Sequence, residues 1–287
     1  MTYATSSALR MALEQRLANQ AQQTGLPLDR LRRRVVFERI VARLHAAEPG
    51  RWVLKGGMAL EVRLRDSARL TKDIDLGLRE PVEDADDLHD RLTSALGADP
   101  YADSFVFVVG PVSDLMADGA GHLTWRAAVR AELGGKPFGG VRLDVSPRAH
   151  ELDRTDVVPL PNSLAFAGIA APEIEIVDVN RHAAEKLHAM SRDFGTRENS
   201  RVRDLVDLVI LLDHGLLDVA AVRGAVVDVW LERDGVAPPT ALPDLPEGWA
   251  ETYERLAHEH DLTIASFPAA LAEARTLWAR MFDPEET

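Results

Sequence analysis

The stretch LKGGMALEVRLRDSARLTKDIDLGL, residues 54–78, decides how this chain is read. Two glycines, Gly56 and Gly57, follow the short apolar run Trp52 to Leu54, and a helical texture begins at Met58 and runs to Leu64. A strand is expected from about Asp73 to Leu78. Residues i and i+2 of a strand share a face, so Asp73 and Asp75 project together while Ile74 turns into the core. Two adjacent carboxylates repel, and a divalent cation removes that repulsion; Mg²⁺ typically takes one or two carboxylates together with substrate phosphates. The Gly-Gly turn supplies the other half, because glycine lets backbone N–H groups approach phosphate oxygens and a helix N-terminus favours negative charge. Taken singly, Gly-Gly describes an ordinary turn and Asp-x-Asp two solvated carboxylates at a strand end. Their order and spacing join them into a phosphate-and-metal site.

Outward from this stretch, residues 6 to 22 and 28 to 47 read as helices, with Leu28, Leu31, Val35, Ile40 and Leu44 near helical spacing and Pro49-Gly50 as the stop. The segment DADDLHDRLTSALG reads as an acidic amphipathic helix. SFVFVVG, HLTWRAAVRAEL and GVRLDVS read as strands, the middle one with a helical alternative, joined by turns around Gly134, Gly135, Gly139 and Gly140. From about Asn180 the texture turns helical: Ala183, Leu187, Met190 and Phe194 form one stripe and Val202, Leu205, Val206, Val209 and Leu212 another, with Gly215 as a C-cap. A Pro-rich link, VAPPTALPDLPEGW, precedes two last helical segments around 249 to 260 and 267 to 281. Two domains follow: 1–170 with the sheet and the N-terminal helices, and 171–287 helical, completing a nucleotide and acceptor cleft.

The bulk numbers bound the function. The chain has 287 residues, 46% of them hydrophobic, enough for a sizeable core. No apolar run approaches the ~20 residues of a membrane helix and no secretion signal is recognisable, so a cytoplasmic protein with no membrane partner is expected. The absence of cysteine excludes disulfides and thiolate metal sites, leaving oxygen or imidazole for any metal. A formal net charge of −13 argues against coating nucleic acid by bulk electrostatics, although a local basic groove stays open. Two arginine-rich segments offer one: Arg30, Arg32, Arg33 and Arg34, then Arg192, Arg197, Arg201 and Arg203. Each also fits a solvated helix face.

The Gly-Gly turn, the short helix and the R-L-T-K-D-I-D run resemble the signature of the AbiEii/AbiGii nucleotidyltransferase toxin family, including MenT-like toxins, within the polymerase-beta-like nucleotidyltransferase superfamily. Arg69 and Thr71 fill the family's places for an Arg and a Ser or Thr before the aspartates, and AAEKLHAM and RVRDLVDL resemble its downstream motifs. The resemblance covers about residues 50–213; the segment from 215 onward carries no recognised motif. It implies an α+β fold, a mixed nucleotidyltransferase sheet with flanking helices followed by a helical bundle.

The resemblance also implies a two-metal Mg²⁺ site on Asp73, Asp75 and a third carboxylate on a neighbouring strand. Asp144, alternating with Val141, Leu143 and Val145 in VRLDVS, is the candidate, the bland alternative being an outward-facing carboxylate. Gly56 and Gly57 would bind the nucleotide phosphates, and Lys186, otherwise an ordinary snorkelling lysine, matches the lysine that contacts the triphosphate. Asp207, with Asp204 as alternate, would face the nucleotide or orient Lys186; Arg203 is placed to pair with Asp207 at i, i+4. Arg69 is either a phosphate contact or a surface residue, and Thr71 either a phosphate contact or the start of a strand. His182 and His188 lie six apart on a helix and read as structural rather than metal-binding.

The implied activity transfers NMP from an NTP to RNA, expected to be the tRNA 3′ end, with pyrophosphate released. The protein would then be the toxin of a type IV-like abortive-infection system that blocks translation and growth, with a cognate antitoxin. Two alternatives stand beside it: an NTP-dependent kinase using the same metal site, and an inactive nucleotide-sensing or partner-binding relative, which the retained glycines and carboxylates disfavour.

Overall fold

The computed structural model describes residues 3–64, 73–115, 123–195 and 198–282. Arg69, Thr71 and Arg197 lie outside the described residues. In chain order the elements are α1 (Ser6–Thr24), α2 (Leu28–Ala47), β1 (Trp52–Lys55), α3 (Gly56–Leu64), β2 (Asp73–Leu78), α4 (Ala85–Gly97), β3 (Phe105–Leu115), β4 (Thr124–Leu133), β5 (Lys136–Ser146), β6 (Thr155–Pro159), β7 (Glu173–Val177), α5 (Val179–Ser191), α6 (Val202–Asp213), α7 (Val219–Asp234), α8 (Ala250–Glu259) and α9 (Phe267–Phe282). The fold is α+β. Described residues up to Ile176, Arg63 and Leu64 excepted, form one compact unit; Arg63, Leu64 and those from Val177 onward form a second.

The first unit is built on a seven-stranded mixed sheet of order β3-β4-β5-β2-β1-β7-β6. β2 runs antiparallel to β1 and parallel to β5, and β3, β4 and β5 form an antiparallel meander. The segment with the helical alternative is therefore a strand. Gly134 and Gly135, at φ +59° and +69°, make the β4–β5 hairpin turn, the two-residue loop with positive φ that strand twist favours. Gly139 and Gly140, expected in a turn, lie inside β5 instead, opposite Ala131 and Arg130.

Helix α2 is the central helix of this unit. Every residue from Val35 to Leu44 is buried, because α2 contacts β5, α4 and α1. Three charged residues of that run are therefore buried with the apolar ones. Glu38 accepts from Ser163 N at 2.7 Å and from Ser163 Oγ at 2.9 Å. Arg43 donates to Leu96 O at 2.7 Å, Phe105 O at 2.9 Å and Asp103 at 2.5 Å.

The second unit is helical. α5 packs on α6 and α7, and α9 on α6, α7 and α8. Its core includes a chain of rings: His188 lies 4.7 Å from Trp230, which lies 5.4 Å from Trp278. The stripe Ala183, Leu187 and Met190 is buried, but Phe194 falls beyond the end of α5 and is exposed. Asp178 follows β7 and caps α5 by accepting from Asn180 N and Arg181 N. Gly215, at φ +61°, follows α6 and donates its N–H to Leu212 O at 2.9 Å. Helix α7 and strands β6 and β7 have no counterpart among the elements expected from the sequence. No helix among the described residues is long and apolar enough to cross a membrane.

Candidate active site

β2 carries Asp73 and Asp75 half-exposed between the buried Ile74 and Leu76, because the strand alternates its side chains between the two faces. β5 likewise alternates the exposed Arg142 and the half-exposed Asp144 with the buried Val141, Leu143 and Val145. Parallel pairing sets Asp75 directly opposite Asp144 and Asp73 opposite Arg142. On the far side of β5, Arg126 of β4 is the register partner of Asp144, and on the far side of β2, Lys55 of β1 is the partner of Asp75. Cross-strand partners share a face. One row across four strands therefore reads Lys55, Asp75, Asp144, Arg126, with Asp73 and Arg142 one step along the same face.

Asp144 and Asp73 are each paired with an arginine. Arg126 grips Asp144 with two bonds, Nε to Oδ1 at 2.7 Å and Nη2 to Oδ2 at 2.6 Å, and Arg142 Nε reaches Asp73 Oδ1 at 2.6 Å. The hydrogen bond to Asp144 raises the pKa of Arg126 above the ordinary value, and the charges of Asp144, Asp73 and Asp75 add to it. Lys55 is buried and donates to Glu151 at 2.6 Å. The sequence by itself does not single out Lys55, Arg126 or Arg142; for the two arginines, charged residues at alternating positions of WRAAVRAEL and GVRLDVS are the signal, and only the strand register links all three to the aspartates.

Gly56 opens α3 beside this row, at φ +59°. A Cβ added there would lie 1.8 Å from Asp75 Oδ2 and 2.9 Å from Asp75 Cβ. Besides freeing a backbone turn, this glycine leaves the space that the Asp75 side chain occupies. Gly57 follows it as a buried residue of α3.

The remaining candidates meet in the second unit. Lys186 on α5 places Nζ 2.6 Å from Asp204 Oδ1 and 2.9 Å from Asp207 Oδ2, both on α6. Asp207 is fully buried and Lys186 is 12% exposed, so the ammonium is held between two carboxylates. Arg203, expected beside Asp207, is on the exposed side of α6. His182, one turn before Lys186, is buried; burial, with the nearby Lys186 charge, lowers it to about 3 and keeps it neutral. His188 is also lowered by burial, against which its 2.9 Å contact with Asp234 acts. Of the arginine-rich segments, Arg32 is paired with Glu14 and Asp29, and Arg34 with Glu61. Arg201 and Arg203 are exposed.

A family model described as nucleotidyl transferase AbiEii toxin, type IV TA system, matches residues 39–286. The chain belongs to the AbiEii family. It is a nucleotidyltransferase, and family membership implies an NTP as substrate and an antitoxin as partner. The AbiEii match extends well past residue 213, where the recognisable motifs stop. Among solved structures, MenT4, the nucleotidyltransferase toxin Rv2826c from Mycobacterium tuberculosis H37Rv, is similar at 21% identity and TM-score 0.56, over 95% of this chain and 91% of that chain. JHP933 from Helicobacter pylori is similar at 17% identity and TM-score 0.42, over 85% and 88%. No curated protein matches the sequence.

AbiEii nucleotidyltransferases generally work with a divalent cation. The donor set here suits one: Asp73, Asp75 and Asp144 offer only carboxylate oxygens, from one face of two adjacent strands. Hard divalent cations take that ligand class.

Proposed function

We propose that this toxin-family nucleotidyltransferase transfers NMP from an NTP to an RNA acceptor, the tRNA 3′ end, and so blocks translation, with Mg²⁺ as its cation. The observation that carries the reading is the register row in which Asp75 stands opposite Asp144, with Asp73 on the same face and Gly56 against Asp75. In this reading Asp73, Asp75 and Asp144 would hold the cation, which when bound screens the negative charge of the reacting phosphate. Asp144 also takes the proton of the acceptor hydroxyl. The hydroxyl oxygen forms a bond to the α-phosphorus, the bond from that phosphorus to the bridging oxygen breaks, and pyrophosphate leaves with the electron pair.

The backbone of Gly56 and Gly57, at the start of α3, lies against the phosphates. Lys186, its ammonium held by Asp204 and Asp207, is the point charge that the family resemblance implies for the triphosphate. Arg69 and Thr71 keep their proposed place as phosphate contacts. RNA contact falls to the downstream arginine segment, where Arg201 and Arg203 are exposed.

The test is to incubate the protein with Mg²⁺, total tRNA and each α-labelled NTP in turn, beside an Asp73→Ala/Asp75→Ala variant. Label is expected in RNA with wild type alone, together with free pyrophosphate. Equal labelling by the double variant, or ADP as the product from ATP, would overturn the assignment.

A further inference from the structure

Asp144 and Asp73 are held by guanidinium groups that stand on the same face of the sheet. Arg126 is the register partner of Asp144 and Arg142 that of Asp73, and each bonds its partner directly. With Asp75, which stands opposite Asp144, three negative charges meet these two positive ones. A cation seeking the Asp144 and Asp73 oxygens competes with these N–H groups. The same planar fork that grips a carboxylate with two parallel bonds also fits a phosphate. Both arginines can leave: Arg126 is 34% exposed and Arg142 is 51% exposed, so neither is walled in by packing. An NTP brings triphosphate oxygens to this face, and so offers each displaced guanidinium a new anionic partner.

We propose that Arg126 and Arg142 are exchangeable counter-ions of the site: they hold Asp144 and Asp73 before substrate arrives, then pass to the triphosphate as the carboxylates turn to the divalent cation. The proposal rests on the reading of Asp73, Asp75 and Asp144 as cation ligands. It makes cation and nucleotide binding cooperative, since each frees the partner the other needs. The cation alone binds weakly, against the arginines. The nucleotide alone binds weakly, against the aspartates.

The experiment titrates Mn²⁺ into the nucleotide-free full-length protein, followed by electron paramagnetic resonance, and repeats the titration with a non-hydrolysable NTP analogue present. Wild type, Arg126→Met, Arg142→Met and Asp73→Ala/Asp75→Ala are compared, each first checked for a wild-type circular dichroism spectrum. The expected result is Mn²⁺ binding about tenfold tighter in nucleotide-free Arg126→Met than in wild type, with the enhancement by the analogue reduced by a similar factor. Arg142→Met, at the more exposed pair, shifts the same way by less and serves if Arg126→Met does not fold. The aspartate variant is expected to lose Mn²⁺ binding. If it keeps that binding, the cation-ligand reading fails and takes the proposal with it. If it loses binding while both arginine variants bind Mn²⁺ as wild type does, the exchange alone is overturned.

Discussion

At Gly56 two independent constraints meet, a φ of +59° and the Asp75 carboxylate lying 1.8 Å from where a Cβ would stand. An alanine would strain the left-handed backbone and push Asp75 aside at its Cβ, which no rotation of the carboxylate relieves. Gly56→Ala is expected to lower stability by roughly 2–3 kcal/mol in urea unfolding and to abolish labelling of RNA. Gly97→Ala is the control, since nothing lies within 4 Å of its missing Cβ; it should change stability by less than about 0.5 kcal/mol. The Gly-Gly pair, on which the proposed phosphate contact rests, is legible in the sequence. The space for Asp75 is not, because it depends on where β2 lies beside α3. Arg126 is hidden for the same reason: eighteen residues separate it from Asp144, and only the hairpin register makes them partners.

At the scale of elements, α2 departs furthest from its pattern. Its apolar spacing suggests one buried face, yet contacts with β5, α4 and α1 bury the helix through Glu38, Arg39 and Arg43. Burial pushes Glu38 up to about 7 from 4.5, against the hydrogen bonds from Ser163. A raised carboxyl pKa means that the folded state holds the proton more tightly than the unfolded chain. The Glu38 contribution is therefore full below about pH 4.5 and is lost as pH rises through about 7. Glu38→Gln keeps an acceptor for Ser163 and removes the titration. Urea unfolding across pH 4 to 8 should show the variant gaining on wild type by on the order of 3 kcal/mol as pH rises. A pH-independent difference would place the ionisation elsewhere. Elements with clear alternation or caps are legible: β2 and β5 from their aspartates flanked by apolar residues, α6 from its stripe and the glycine after it. Spacing adds Phe194 to the α5 stripe, but the helix has already ended at Ser191. α7, with Val, Ala and Gly through its middle, gives little periodic contrast and passes unread.

At the scale of the whole molecule, charge sets the terms for an RNA acceptor. A net charge of −13 repels a polyanion at long range, so the proposed RNA binding must rest on a few local cations. Arg201→Ala/Arg203→Ala is expected to weaken tRNA binding at low salt. It should also flatten the slope of log affinity against log salt by about 1.4, some 0.7 for each phosphate left without its arginine. Fluorescence anisotropy at stepped ionic strength reads both, and an unchanged slope would remove these arginines from the acceptor site. The two-unit organisation leaves the carboxylate row entirely within the first unit and the Lys186 cluster within the second. The row is also non-local along the chain: Arg142 and Asp73, which pair directly, are 69 residues apart, with α4 and the β3–β4 hairpin between them. Parallel pairing across such a span closes a long loop before any favourable contact offsets the entropy, the slow class of folding event. On the roles assigned above, a ribosome making this toxin releases Asp73 and Asp75 well before Asp144 exists to complete them. If the proposed roles hold, the growing chain cannot assemble its carboxylate row until its synthesis has passed β5.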